Sequence, residues 1–173
     1  MLKDFKPVLS ILLRFIIVYV VLLLSYQFYL NRFAQLGLDF FSHCIAEQVK
    51  DLQNFIGYPT QLYDDIKGEQ VYFKVKNIYT TRMVEGCNAI SVMILFASFV
   101  FAFYKGKKTV IFVLSGLLLL YVMNVFRIAG LNIVMTDYTQ YGKIAHDFIF
   151  PAVIYGTVVV LWLIWIKFFA LKK

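Results

Sequence analysis

What most constrains this chain is that four stretches, at about 8–30, 88–104, 109–131 and 148–169, are apolar for about the length of a membrane-spanning helix. A hydrocarbon layer about 30 Å thick asks for roughly 20 apolar residues per helical crossing. A soluble core could not absorb them, because 61% of the 173 residues are hydrophobic and mean hydropathy is +0.75. The first stretch contains Arg14, close enough to its start for a long side chain to reach the headgroups. That stretch is longer than a signal-peptide core, and no small-residue cleavage pattern follows Leu30, so it reads as an uncleaved anchor.

Orientation follows from the short basic segments, which resist translocation. Lys3, Lys6 and Arg14 begin the chain, Lys105, Lys107 and Lys108 separate the second and third stretches, and Lys167, Lys172 and Lys173 end it. Four crossings put all three groups on one side, the cytoplasm. The net charge of +7 then records topology. With no basic stripe interleaved with aromatics, it points to no nucleic-acid partner, and the expected solvent partner is membrane lipid.

The opposite side receives residues 31–86. Apolar residues from Phe33, Leu36, Phe40 and Phe41 through Cys44, Ile45, Val49 and Leu52 to Phe55 and Ile56 recur at helical spacing, opposite Glu47, Lys50, Asp51 and Asn54. This pattern predicts an amphipathic helix ended by Gly57-Tyr58-Pro59. Val71, Phe73 and Val75 then alternate with polar neighbours after the turn-like Asp64–Gly68 run, predicting a small hairpin. The expected architecture is an all-α integral membrane protein of about four transmembrane helices, with both termini inside. Outside lie an amphipathic helix and a β-hairpin, and residues 1–173 form one domain.

Three distant residues converge in depth. At a rise of about 1.5 Å per residue, Cys87 lies about 27 Å from Lys105, Arg127 about 28 Å from Lys108, and His146 about 31 Å from Lys167. All three therefore reach the outer boundary. Cys87 would begin the second span, where free backbone N–H groups favour a thiolate, opposed by Glu85. The bland alternatives are a buried small hydrophobe or a disulfide with Cys44. Arg127 inside the third span is costly unless it pairs or faces a polar cavity, the alternative being an interfacial anchor; Asn124, one turn earlier, is placed to orient it. His146 supplies the acid or base that thiol acyl chemistry requires. Asp147 is either its orienting carboxylate or an N-terminal helix charge.

Glu85-Gly86-Cys87-Asn88-Ala89, Asn124-Val125-Phe126-Arg127 and His146, in that order, resemble the exosortase/archaeosortase family, and within it exosortase F most. The sequence departs from the frequent family pattern in having Asn88-Ala89 where Ser-Gly often follows the cysteine. The resemblance covers about residues 82–156 and implies a multipass cysteine transpeptidase or thiol protease of the bacterial inner membrane, acting on its outer face. Catalytic roles would fall to Cys87, Arg127 and His146, with Glu85, Asn88, Asn124 and Asp147 supporting. It implies as substrates exported proteins bearing a C-terminal motif, a transmembrane helix and a basic cluster, with an amine as acceptor. No phosphate loop, clustered Cys/His pattern or heme motif occurs, so neither cofactor nor metal is expected. Two other readings are a thiol-disulfide oxidoreductase using Cys44 and Cys87, and a membrane scaffold in which Cys87, Arg127 and His146 are individually replaceable.

Overall fold

The computed structural model describes residues 2–33, 37–66 and 68–170. Leu36, Lys67, Lys172 and Lys173 lie outside the described residues, as do the side chains of Lys3 and Phe33. Helix α1 spans Leu2–Phe33, α2 Phe40–Phe55, α3 Ile90–Ala102 and α4 Lys107–Asp137. The last helical run, α5, spans Thr139–Ala170 and passes through π turns at Ala145–Ile149 and Ile166–Ala170.

Among the described residues, three helical stretches are long and apolar enough to cross a membrane: Val8–Arg32, Lys107–Asp137 and Thr139–Ala170. The second predicted span is shorter than expected. Its helix has 13 residues, about 20 Å at 1.5 Å per residue, because the chain leaves helical geometry on both sides. At its start Ala89 adopts φ +60°, and at its end the chain turns through Gly106 at φ +69°. This short helix is nonetheless central, with seven of its 13 residues buried among its neighbours. Phe96 is fully buried and lies over Gly116 of α4, where an added Cβ would meet its ring at 2.3 Å. Phe99 stacks on Trp162 of α5 with ring centroids 4.5 Å apart, and Phe112 packs against Trp165 at 5.0 Å. Aromatic contacts of this kind, with the bare Gly116 surface, bring α3, the N-terminal half of α4 and the C-terminal half of α5 together.

The 31–86 insert differs from the predicted helix and hairpin in two respects. Helix α2 begins at Phe40 instead of near Phe33, because Asp39 caps it: its carboxylate accepts the Ser42 backbone N–H at 3.1 Å and the Ser42 hydroxyl at 2.5 Å. Ile45, Ala46 and Val49 are fully buried, whereas Phe40 and Phe55 at the two ends stay exposed. The hairpin is a three-stranded antiparallel sheet, β1 Thr60–Asp64, β2 Val71–Val75 and β3 Ile78–Met83, in the order β1-β2-β3. Val71, Phe73 and Val75 are buried as their alternation predicts. Lys76 and Asn77, at φ +48° and +67°, form the two-residue turn from β2 to β3.

The insert packs onto the C-terminal half of α4. Val71, Phe73 and Met83 of the sheet and Ile45 and Val49 of α2 form one core with Val125, Ile128 and Ala129. Polar contacts fix its register: Asn132 donates to Gln53 Oε1 at 3.1 Å and accepts from the Thr81 hydroxyl. Beyond them Lys76 Nζ reaches Asp137 at 3.0 Å and Tyr58 donates to the same carboxylate at 2.7 Å. A cap of α2 and the sheet thus sits on one end of the helical bundle.

Candidate active site

Between this cap and the bundle lies a cavity of about 340 Å³, and Cys87, Arg127 and His146 all line it. They arrive from three different elements. Cys87 closes a single 3-10 turn, Glu85–Cys87, between β3 and α3. Arg127 projects from α4, and His146 from the π turn near the start of α5. A π turn inserts one residue into the helical repeat and so re-aims side chains that ordinary spacing would place elsewhere.

Cys87 is not in the first turn of α3, as the sequence suggested. Its backbone N–H donates to Val84 O at 2.8 Å, and the helix starts three residues later with Asn88 Oδ1 accepting the Ile90 N–H at 3.0 Å. The loop is held from both flanks. On one, the Asn88 side-chain amide donates to Tyr26 of α1 at 2.8 Å and to the Ser42 hydroxyl at 3.0 Å. On the other, Asn124 Nδ2 donates to the Cys87 carbonyl at 3.0 Å. Asn88 is 1% exposed, and Asn124, Ser42 and Asp39 are fully buried, so these bonds are shielded from competing water.

Asn124 has a second task. Its Oδ1 accepts from an Arg127 terminal nitrogen at 3.3 Å, so one amide joins the cysteine loop to the guanidinium. Arg127 Nε is buried and has no hydrogen-bond partner among the described residues. A buried donor left over in this way costs about 1–3 kcal/mol and marks a place where an incoming oxygen would be welcome.

His146 is exposed and its Nδ1 lies 2.8 Å from Asp147 Oδ1. Asp147 therefore contacts the histidine directly, within a helix that has already begun at Thr139. Glu85, by contrast, lines a separate cavity of about 400 Å³ with Glu69 and Gly37. Burial, and then the Asp39 charge, push its carboxyl above the usual carboxylate range. Cys44 and Cys87 are both free thiols.

The family model described as Transmembrane exosortase matches residues 6–169, nearly the whole chain. The chain belongs to this family. It is accordingly an integral membrane protein of the exosortase kind, and the apolar helices agree with that. No curated protein and no solved structure matches it.

Sequence reasoning missed several residues that line this cavity or support its walls. Asp39 and Ser42 carried a legible signal, an N-cap carboxylate three residues before its N–H partner. Tyr26 lay hidden in an apolar run. Thr80–Val84, which also line the Cys87 cavity, had none. Among the described residues no group of three His, Cys, Asp or Glu side chains is placed to hold a metal ion.

Ala89 offers a test of the local geometry. It occupies the left-handed region, at φ +60° and ψ 10°, where a Cβ costs about 1–2 kcal/mol. Ala89→Gly relieves that cost while deleting a buried methyl, whereas Ala97→Gly, at the same 6% exposure inside α3, deletes a methyl and adds helix-breaking entropy. Thermal unfolding in one detergent should therefore separate the two variants by about 2 kcal/mol, with Ala89→Gly the more stable. Equal losses would show that Ala89 is unstrained.

Proposed function

We propose that this exosortase is a membrane cysteine transpeptidase that cuts the C-terminal sorting signal of exported proteins and transfers the body of the protein to an amine. The supporting observation is that one cavity collects a thiol, an arginine with an unpartnered buried N–H, and a histidine held by a carboxylate. Those groups suit acyl transfer through a thioester.

In this reading Cys87 Sγ, as thiolate, bonds to the scissile carbonyl carbon. Negative charge moves to the carbonyl oxygen, where the Arg127 guanidinium meets it. His146 gives its proton to the departing nitrogen as the C–N bond breaks, leaving the protein body as a thioester on Cys87 and the tail as a free amine. An acceptor amine then attacks the thioester, loses its proton to His146, and releases the Cys87 thiolate. Asp147 steadies the imidazole, Asn124 sets Arg127, and Asn88 sets the cysteine loop.

The same proposal takes α3 as a fourth crossing, places both termini in the cytoplasm of a bacterial inner membrane, and opens the cavity outward. Within the family, the Glu85–Ala89, Asn124–Arg127 and His146 motifs taken together favour the exosortase F type. Its substrates would carry a recognition motif, a transmembrane helix and a terminal basic cluster.

Mass spectrometry of a co-expressed protein with such a tail tests the chemistry. The expected product lacks the helix and basic cluster and carries an added amine at its new C-terminus. An untrimmed tail in every candidate, or equal trimming by the parent and by Cys87→Ala, would leave a scaffold as the better reading. Reporter fusions test the orientation: cytoplasmic signals are expected after Lys108, and an external signal near Thr139. The reverse pattern would place the cavity on the wrong face for exported substrates.

A further inference from the structure

We propose that the outer edge of β3 is the docking rail for the substrate, which binds as a fourth antiparallel or parallel strand and delivers its scissile carbonyl to Cys87. This rests on the transpeptidase reading above and adds how the peptide is held.

The sheet order leaves β3 paired with β2 on one side only. An edge strand carries N–H and C=O groups turned away from its partner at alternate residues. Among the described residues, no backbone hydrogen bond joins residues 78–83 to any other segment than β2. The edge is therefore unpaired.

That edge faces the reactive cavity. Side chains in a strand alternate between faces, so a cavity lying against one face would touch every second residue. Five consecutive residues, 80–84, line the cavity that holds Cys87, Arg127 and His146. Contact with an unbroken run means that the cavity borders the strand's backbone edge. From Met83 the chain passes through Val84 and the single turn Glu85–Cys87 to the sulfur, so a peptide paired along β3 runs straight to the thiol.

Register identifies which groups are on offer. The two-residue turn at Lys76-Asn77 makes Val75 and Ile78 a hydrogen-bonded pair, and pairing shifts by one residue between Phe73 and Lys74, with Phe73 opposite Thr81. Thr80 is the extra residue of a bulge. Alternation then resumes, with Tyr72 and Arg82 a non-hydrogen-bonded pair, so that the Arg82 N–H and C=O point away from β2 to the free edge. Arg82 is exposed at the cavity. Bulges beside reactive sites re-aim an edge in this way.

Strand addition suits the occupant. Main-chain hydrogen bonds grip an extended peptide whatever its side chains, and pockets on alternate sides select the motif. A folded helix could not use the edge, because its N–H and C=O groups are already paired.

The test is disulfide mapping in the full-length protein. Arg82→Cys is combined with Cys44→Ala and Cys87→Ala, and single cysteines are walked through the residues before the cleavage site of a co-expressed protein that the parent enzyme trims. Strand addition predicts crosslinks at every second substrate position. Crosslinks repeating every three to four positions, or none along the segment, would overturn it. A backbone test accompanies it, since Arg82→Pro and Arg82→Ala both lack the side chain but only the first removes the outward N–H. Processing by Arg82→Pro should fall about tenfold below Arg82→Ala, the effect of one lost hydrogen bond. Equal rates would overturn the rail even if trimming itself proceeds, whereas absence of trimming by the parent enzyme defeats the transpeptidase reading and the rail with it.

Discussion

Replacing Cys87 with alanine should reduce processing of a sorting-signal protein by about ten-thousand-fold or to background, the usual consequence of deleting a covalent nucleophile. The loss is expected to be clean. Cys87 sits in a loop whose shape is set by its backbone and by neighbours: its N–H binds Val84, its carbonyl binds Asn124, and Asn88 anchors the next position. None of these bonds uses the sulfur. The variant should therefore keep the thermal stability of the parent while losing all acyl capture. Cys87→Ser should be nearly as poor, because a hydroxyl needs a stronger base than a histidine committed to protonating the leaving group. Quantitative immunoblotting of tail removal checks both, and normal trimming by Cys87→Ala would end the transpeptidase proposal.

Arg127→Lys should be the next most damaging change, lowering processing by about a hundred- to a thousandfold, the range found for removing one oxyanion donor. Lysine keeps the charge but not the planar fork. It has no counterpart to the buried Nε–H, and its compact ammonium lacks the rigid fork that sets one terminal N–H on Asn124 Oδ1 while leaving Nε–H free for another acceptor. Asn124 would keep its bond to the Cys87 carbonyl, so the thiol should stay in place and react with a small alkylating reagent at the parent rate. Separating alkylation from turnover is the informative measurement. If Arg127→Lys slowed both equally, the arginine would be holding the loop in shape, and its proposed role at the oxyanion would fail.

Much of the architecture was legible because its cause is local in the chain. Long apolar runs produced α1, α4 and α5, and the alternation of Val71, Phe73 and Val75 produced β2 with its buried face. The flanking strands were not legible, since Thr60–Asp64 and Ile78–Met83 are half-exposed and mix polar with apolar residues on both faces. Their strand geometry comes from pairing with β2. The length of α3 was misjudged for a similar reason. Hydropathy continues through Asn88 and Ala89, but the positive φ of Ala89 and the side chain of Asn88 set the helix start, and neither is visible to a composition window.

That Cys87, Arg127 and His146 line one cavity agrees with the grouping read along the chain, but the helix-rise arithmetic fails for Cys87, which lies outside α3 in a separate 3-10 turn. The connections within the site were not legible. That Asn124 would bridge Arg127 to the cysteine loop depends on which face of α4 meets residues 84–88. That Glu85 would turn into a second cavity beside Glu69 depends on a single 3-10 turn. Long-range polar pairings of this sort follow from assembled tertiary structure and have no periodic signature.

The unequal helix lengths have a consequence for which substrates can be reached. Arg127 lies ten residues before the end of α4 at Asp137, so its Cα is about 15 Å along the axis from the tip of that helix, with the sheet and α2 packed against the intervening part. The reactive cavity is a recess in the molecule. For the proposed substrates, a peptide tethered to its own membrane helix is already confined near this depth, and its local concentration is set by the few residues joining it to the anchor. That confinement reaches millimolar values for short tethers without any added contact. A free peptide of the same sequence would have to descend from bulk solvent past the cap. Under the proposed function, discrimination among substrates is in large part a matter of dimensionality: the anchor supplies proximity that the recognition motif alone does not.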